Sequence, residues 1–433
     1  MTQTISKVTS CLFIAFLFMF MSSFVSAHVF VVEETPLPNS TLESSPSSIS
    51  IKFSNQVDSS FSIKVLDMEN QEVDVRVASI SEDKKTIESQ LPQLPNGQYK
   101  VQYAVISSND GHVIEGNYTF HVNWKSSPSI NHDYVKEETS GSIGKSQGND
   151  MSNASNFENN QDSADYLGMI HYIAKAIYYF GLLMIVGWIL IWRTIKNHSF
   201  ELRKKFLFFG MIFQLIHFTG LMIFLLVQMN VFTSQGISFK FDFPIDTLFG
   251  KLWIVSLIFS LAGFFFLFKN RLFDFLWVLT IVVAKSFNGH TQEFEPTSLL
   301  VALNGIHLFA AAIWAAGLFY MLLFWRKQQL YVKSFLPIFS KAAVISIVLL
   351  SVSGSIISYL YLPDQDAILT DWGIVLLFKI AAVLGVVVIG AFIRMKMKRG
   401  RLADLKLPIK IDFLLLIILI ILVSILTSLN PLP

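Results

Sequence analysis

From about residue 166 onward the chain is almost continuously apolar, interrupted only by short charged loops. Eight segments are long enough to span a bilayer: approximately 168–192, 204–229, 249–268, 272–288, 299–325, 338–361, 372–394 and 410–430. In hydrocarbon every backbone N–H and C=O must find its partner within the protein. Each segment is therefore expected to be a helix, and residues 165–433 an all-α polytopic bundle. With 53% hydrophobic and only 15% charged residues, the chain is too apolar for an ordinary soluble protein. The net charge of +2 comes without a basic patch, so nothing points to nucleic acid; membrane lipid is the expected surrounding.

The loop charges alternate. One set carries Arg193, Lys196, Arg203, Lys204 and Lys205, then Lys269 and Arg271, then Arg326, Lys327, Lys333 and Lys341, then seven basic residues between Arg394 and Lys410. The other set carries Asp242, Asp246, Glu293, Glu295, Asp364, Asp366 and Asp371. Basic loops stay on the cytoplasmic side. The reading is a multi-pass protein of a bacterial cell membrane, with the residues before the bundle and the C-terminus both extracytoplasmic.

Residues 1–27 read as a signal peptide: Lys7, an apolar run from Leu12 to Met21, and small residues at Val25-Ser26-Ala27. Cleavage there would make His28 the first residue of the mature chain. It would also remove Cys11, the only cysteine, and with it any thiolate metal site.

Residues 28–124 alternate with period two at Ile49/Ile51/Phe53, Phe61/Ile63/Val65, Val73/Val75/Val77, Tyr99/Val101/Tyr103/Val105 and Tyr118/Phe120/Val122. Turn signals separate the runs, among them Pro36-Leu37-Pro38-Asn39-Ser40 and Pro95-Asn96-Gly97. About seven short strands predict an all-β sandwich, immunoglobulin-like or cupredoxin-like. Residues 125–164, rich in Ser, Asn, Gly and acidic side chains, read as a flexible linker.

Late in this β-domain stand Asp110 and His112, two residues apart and so on one face of an extended chain. Together they could hold one cation, but two ligands make a weak site. A mature N-terminal His28 would add its ring and its α-amine, whose pKa of about 7.7–8 lets a metal displace the proton at low cost. At this point the metal is open.

Within the bundle, His171 lies at the outer end of the first span and His217 near the middle of the second, with Gln214 at i−3. Met222 and Met229 continue outward on that helix. His290 ends the fourth span, and His307 lies about two turns into the fifth, with Trp314 two turns deeper. Imidazole and thioether groups suit copper, so these residues form a candidate transmembrane copper path; haem ligation and structural hydrogen bonding are the alternatives. The small-residue run Ala310 to Gly317 is read as a helix-packing surface.

The β-domain resembles CopC, the periplasmic copper-binding family. The likeness rests on the His after Ser-Ala, the Thr-Pro-x-Pro-Asn-Ser turn, and the segment Ser107, Asp110, His112, Gly116, Tyr118, Phe120. The bundle resembles the membrane protein CopD through Asn304-Gly305-Ile306-His307 with Ala315-Ala316-Gly317, Phe339-Ser340 with Ser353-Gly354, and Thr370-Asp371-Trp372-Gly373 with Lys379. The whole is similar to the CopC–CopD fusions of the YcnJ type. The resemblance implies a Cu(II) site made of the His28 amine and ring, Asp110 and His112, with copper as cargo and an extracytoplasmic copper chaperone as a partner. It implies capture of Cu(II) outside the cell and passage to the bundle for uptake and homeostasis. Sequestration for copper resistance and a copper or haem redox protein are the alternatives. Met68 is the one methionine in residues 28–124, so no Met-rich Cu(I) site is expected. The amine-and-imidazole set also resembles that of oxidative copper monooxygenases. A carboxylate ligand disfavours Cu(I), however, so the chain is not read as an enzyme. His121 and Glu115 are read as surface residues.

Overall fold

The computed structural model describes residues 29–75, 78–108, 113–123, 151–195, 200–234, 236–237, 247–288, 291, 294, 296–325, 329–362, 368–399 and 405–429, and the side chains of all these except 151–167 and 329–331. His28, Asp110, His112 and His290 lie outside the described residues.

The N-terminal domain is a β-sandwich. Its strands are β1 (Val31–Thr35), β2 (Thr41–Leu42), β3 (Ser48–Phe53), β4 (Val57–Leu66), β5 (Ser79–Ile80), β6 (Thr86–Gln90), β7 (Gly97–Ser107) and β8 (Val113–Val122). One sheet has the order β1-β3-β6-β5 and the other β2-β8-β7-β4. All pairings are antiparallel except β2 with β8. Period-two alternation turns Ile49, Ile51 and Phe53 of one sheet toward Val65, Val101, Tyr103, Val105 and Phe120 of the other, and these side chains form the core. The expected turn at Pro36–Ser40 is present: Asn39 takes a positive φ of 59°, and the Ser40 amide donates to the Leu37 carbonyl at 3.1 Å. The alternation at Val73 and Val75 makes no strand. There the chain crosses from one sheet to the other, and the two valines pack on the core edge from a loop tied by Val73 N–H to the Val65 carbonyl. Alternation reports a buried face and says nothing about a neighbouring strand edge.

Among the described residues eight helices follow: α1 (Met151–Thr194), α2 (Phe200–Ser234), α3 (Leu248–Phe266), α4 (Arg271–Phe287), α5 (Thr297–Phe324), α6 (Gln329–Tyr361), α7 (Asp371–Lys398) and α8 (Lys406–Leu426). Seven are long and apolar enough to cross a membrane. The exception, α4, has 17 residues and spans only roughly 25 Å at 1.5 Å per residue. Helix α1 starts at Met151, inside the stretch read as linker. Once a helix is nucleated each further residue adds a hydrogen bond, so an apolar span can carry a polar extension.

Small residues set the closest helix approaches. A Cβ on Gly187 of α1 would overlap the Ala312 carbonyl and the Ala316 methyl of α5, and one on Gly317 would overlap the Phe339 ring of α6. The run Ala310 to Gly317 is thus the packing surface expected of it. At the end far from the sandwich, Arg193 of α1 pairs with Asp274 of α4, whose other oxygen accepts from the Phe268 amide at 2.9 Å. At the near end, the Lys175 ammonium donates to the Thr427 carbonyl at 2.9 Å and to Ser428 Oγ at 2.8 Å, placing a cation on the negative C-terminal end of α8.

The sandwich is seated on the bundle. Tyr99, Val101, Tyr103 and Val105 of β7 face the sandwich core, whereas Ala104 and Ile106 face the opposite way. These two are buried against Phe232 of α2, Ile237, and Phe249 of α3, with Val113, Met229 and Trp253 at the edge. The end of β7 is therefore buried on both faces, as its unbroken run of buried residues from Tyr103 to Ser107 records.

Candidate metal centre

The described residues define the frame around the expected ligands. Phe30, two residues after His28, is tied to the β3–β4 turn by paired hydrogen bonds: its amide donates to Ser54 Oγ at 3.0 Å, and its carbonyl accepts from the Ser54 amide at 2.9 Å. Two residues further along the same turn, the Gln56 carbonyl accepts from the Ser108 amide at 3.1 Å. Residues i and i+2 are at most about 7 Å apart. The start of the domain and the end of β7, the strand that leads to Asp110, are thus fastened to one short turn at one end of the sandwich. Val113, the residue after His112, returns from that same end paired with Ile106.

Two further contacts fix the stem of this β7–β8 connection. Gly116 leaves room for Tyr103, whose ring and hydroxyl a Cβ at that position would overlap. The Tyr103 hydroxyl donates to Glu34 Oε1 at 3.0 Å. Burial, and then Glu34, hold the Tyr103 phenol well above its ordinary titration range; burial does the same for Tyr118, which donates to the Thr35 carbonyl at 3.3 Å. His121 and Glu115 are exposed, as expected of surface groups.

The same end of the sandwich meets the bundle. The Ser108 carbonyl accepts from the Leu248 amide at 3.1 Å, in the first turn of α3. Thr247 caps that helix by accepting from the Gly250 amide.

From this junction a column of rings runs into the bundle. Trp253 meets Phe224 at 6.3 Å between centroids, and Phe224 meets both His171 at 5.8 Å and Tyr178 at 5.9 Å. Tyr178 stacks on His217 at 5.5 Å, and Trp277 meets that imidazole edge-on at 5.7 Å. His217 is completely buried, and neither ring nitrogen has a hydrogen-bond partner; His171 Nδ1 and Gln214 Oε1 are likewise buried without one. Gly181 and Gly220 allow the close contact of α1 with α2 that produces this enclosure, since Cβ atoms there would run into the His217 and Tyr178 backbones.

The structure thus brings His171 and His217 to the same pair of rings. His307 stands apart on α5, its Nδ1 2.9 Å from Ser353 Oγ of α6. Met229 belongs to the sandwich–bundle junction, and Met222 is partly buried on α2. Among the described residues, no group of three or more His, Cys, Asp or Glu side chains is gathered to hold a metal ion. A further group was not singled out by sequence: Asp412 of α8, 3% exposed within the bundle. Its signal was present in the sequence, a carboxylate inside the apolar segment 410–430.

Two family models match the chain: CopC domain over residues 31–123 and Copper resistance protein D over residues 333–426. One chain thus carries a CopC-domain match in its β-sandwich and a Copper resistance protein D match in its multi-pass membrane bundle. The CopD match covers α6 to α8. Over 442 aligned residues the chain is 24% identical to "Copper transport protein CutJ" of Bacillus subtilis (strain 168), covering 94% of this chain and 75% of that protein. Among solved structures it is similar to CopC from Methylosinus trichosporium OB3b (27% identity, 23% of this chain, 99% of that one, TM-score 0.22). It is also similar to PcoC, a methionine-rich copper resistance protein from Escherichia coli (28% identity, 22% of this chain, 100% of that one, TM-score 0.20).

Proposed function

We propose that this protein captures Cu(II) outside the cell at the His28 amine and ring, Asp110 and His112, and passes the metal into the membrane bundle for copper uptake. The observation that carries this reading is the shared turn. Phe30 and Ser108 are bonded to residues 54 and 56, so the chain leading to His28 and the strand leading to Asp110 start from one edge of the sandwich. The donor set of amine, imidazole and carboxylate suits tetragonal Cu(II), which also heads the divalent affinity series.

The seating of that edge supports transfer into the bundle. Ser108 is bonded to Leu248 at the mouth of the bundle, and the rings leading to His171 and His217 begin one turn below, at Trp253. Buried imidazole nitrogens without hydrogen-bond partners are a natural stopping place for a copper ion. Tyr178 stacks on His217 and Trp277 meets it edge-on, an enclosure that favours a small ion there over a haem macrocycle. The end bearing the sandwich is assigned to the outside, and α8 ends on that side as well.

The test is copper content and radioactive copper uptake in cells lacking the gene, complemented with variants. His28→Ala, Asp110→Ala and His112→Ala are expected to lose bound copper and uptake together. Ile106→Asp, which puts a carboxylate into the junction, is expected to keep copper on the outer domain and lose uptake. Equal uptake in all strains would overturn the transport reading; retained binding with no uptake even in the wild type would make the protein a copper store.

A further inference from the structure

We propose that Asp412 is a proton-binding site of the bundle, coupling its work to the pH difference across the membrane. Asp412 lies in α8, six residues from the helix start, roughly 9 Å into the bundle from the end far from the sandwich. Its side chain is almost wholly buried, and Oδ1 has no hydrogen-bond partner. The indole of Trp314, itself buried on α5, neighbours the carboxyl group. An ionised carboxylate in such a place is costly unless it takes up a proton or a cation.

The surroundings choose between the two. Helix α8 packs against α1, α5 and α7. On α1 the charged group at this end is Arg193, which is committed to Asp274. On α7 they are Arg394, Lys396 and Lys398, with Lys379 nearer the other end; on α8 itself they are Lys406 and Lys410. The described part of α5 carries no Asp, Glu, Lys or Arg, and His307 lies two turns from Trp314 toward the sandwich. Among the described residues none of these cations is within ion-pair distance of Asp412. A metal ion would need further lone pairs, and the neighbouring indole can offer none. A proton needs none: it binds Oδ1 and converts the carboxylate to the acid. The proton comes from the aqueous phase at the far end and returns to it, so no other reactant is consumed.

The placement also suits a coupling role. Trp314 follows His307 by seven residues on α5, so the two share a side of the helix about 10 Å apart. The small residues around Trp314 pack α5 tightly on α1 and α6. A change at Asp412 is therefore felt by the helix that carries His307.

The test uses the purified full chain in lipid nanodiscs. Infrared difference spectra across a pH titration are expected to contain the C=O stretch of one buried carboxylic acid. That band should vanish in Asp412→Asn, shift in Trp314→Phe, which removes the neighbouring indole, and return at a shifted position in Asp412→Glu. Thermal unfolding confirms that each variant is folded. A spectrum unchanged by Asp412→Asn overturns the proposal whether or not the protein moves copper. In proteoliposomes an imposed pH difference should change the initial copper uptake rate several-fold in the wild type and leave Asp412→Asn unaffected. An equal response in both also overturns it.

Discussion

The carbonyl of Ser108 accepts a hydrogen bond from the amide of Leu248, so the strand that leads to Asp110 rests on the first turn of a membrane helix. Around this bond Ile106 and Phe249 are buried together. Large apolar side chains contribute about 1.5–3 kcal/mol each when fully buried, enough to hold the two domains in one arrangement. The sandwich is thus a seated part of the protein, with the end of β7 resting on the bundle.

The seating can be locked chemically. A Cβ built on Gly236, after α2, falls 3.8 Å from the Cβ of Ser62 in β4, within the distance that disulfides use. In a Cys11→Ser background, Ser62→Cys with Gly236→Cys is expected to oxidise to one disulfide, read as a cross-linked peptide by mass spectrometry. Gly236 has a φ of +76°, so the new residue carries modest strain. Two free thiols after mild oxidation would mean that the domains do not rest in this arrangement. Uptake retained by the cross-linked form would fit transfer from the seated state.

The sandwich is expected to lose stability at high pH through its buried phenols. Tyr103 and Tyr118 titrate above the ordinary tyrosine value when folded, chiefly through burial. Once the pH passes that ordinary value of about 10, the unfolded chain releases protons that the folded one retains, and stability falls as pH rises. Chemical denaturation followed from neutral pH upward should show a constant midpoint and then a decline beginning near pH 10. Tyr103→Phe should reduce the slope of that decline, although it loses the bond to Glu34 and starts from lower stability. An unchanged slope would contradict the burial argument.

His217 gives opposite outcomes for a structural and a transport role. Removing an unpaired buried polar group can be neutral or stabilising, whereas breaking a made hydrogen bond costs about 1–3 kcal/mol. His217→Leu is therefore expected to leave the unfolding temperature unchanged or raised while copper uptake falls at least about tenfold, equivalent to 1.4 kcal/mol. A clear drop in thermal stability with normal uptake would assign His217 to helix association alone.

Much of this was legible beforehand. Ile49, Ile51 and Phe53, and the long alternation from Tyr99 to Val105, announced strands because one sandwich face is buried. The spans announced themselves because lipid allows little else. The strands β1, β2, β5 and β6 were hidden: β2 and β5 have two residues each, and β1 alternates weakly. Val73 and Val75 misled because a loop can also bury every second residue. The seating of the sandwich was written in Ala104 and Ile106, apolar on the face that an isolated sandwich would give to water. That signal was absorbed by the reading of one continuous β-run. Pairs such as His307 with Ser353, or Asp412 with Trp314, join helices distant in sequence, and spacing along one chain cannot reveal them. His28 with Asp110 and His112 remains a reading from residue chemistry, supported by the shared turn at residues 54–56.

The proposed site has one property no ordinary triad of side chains has: it needs a free amine at residue 28. The direct measurement is Cu(II) affinity of the full chain beginning at His28, compared with the same chain carrying one extra glycine before it. Every side chain is unchanged. Loss of a direct ligand should exceed the roughly 10–100-fold cost seen when only a supporting group around a metal is removed. The expected result is a more than hundredfold weaker Cu(II) site in the extended chain. Equal affinity in the two proteins would contradict the account.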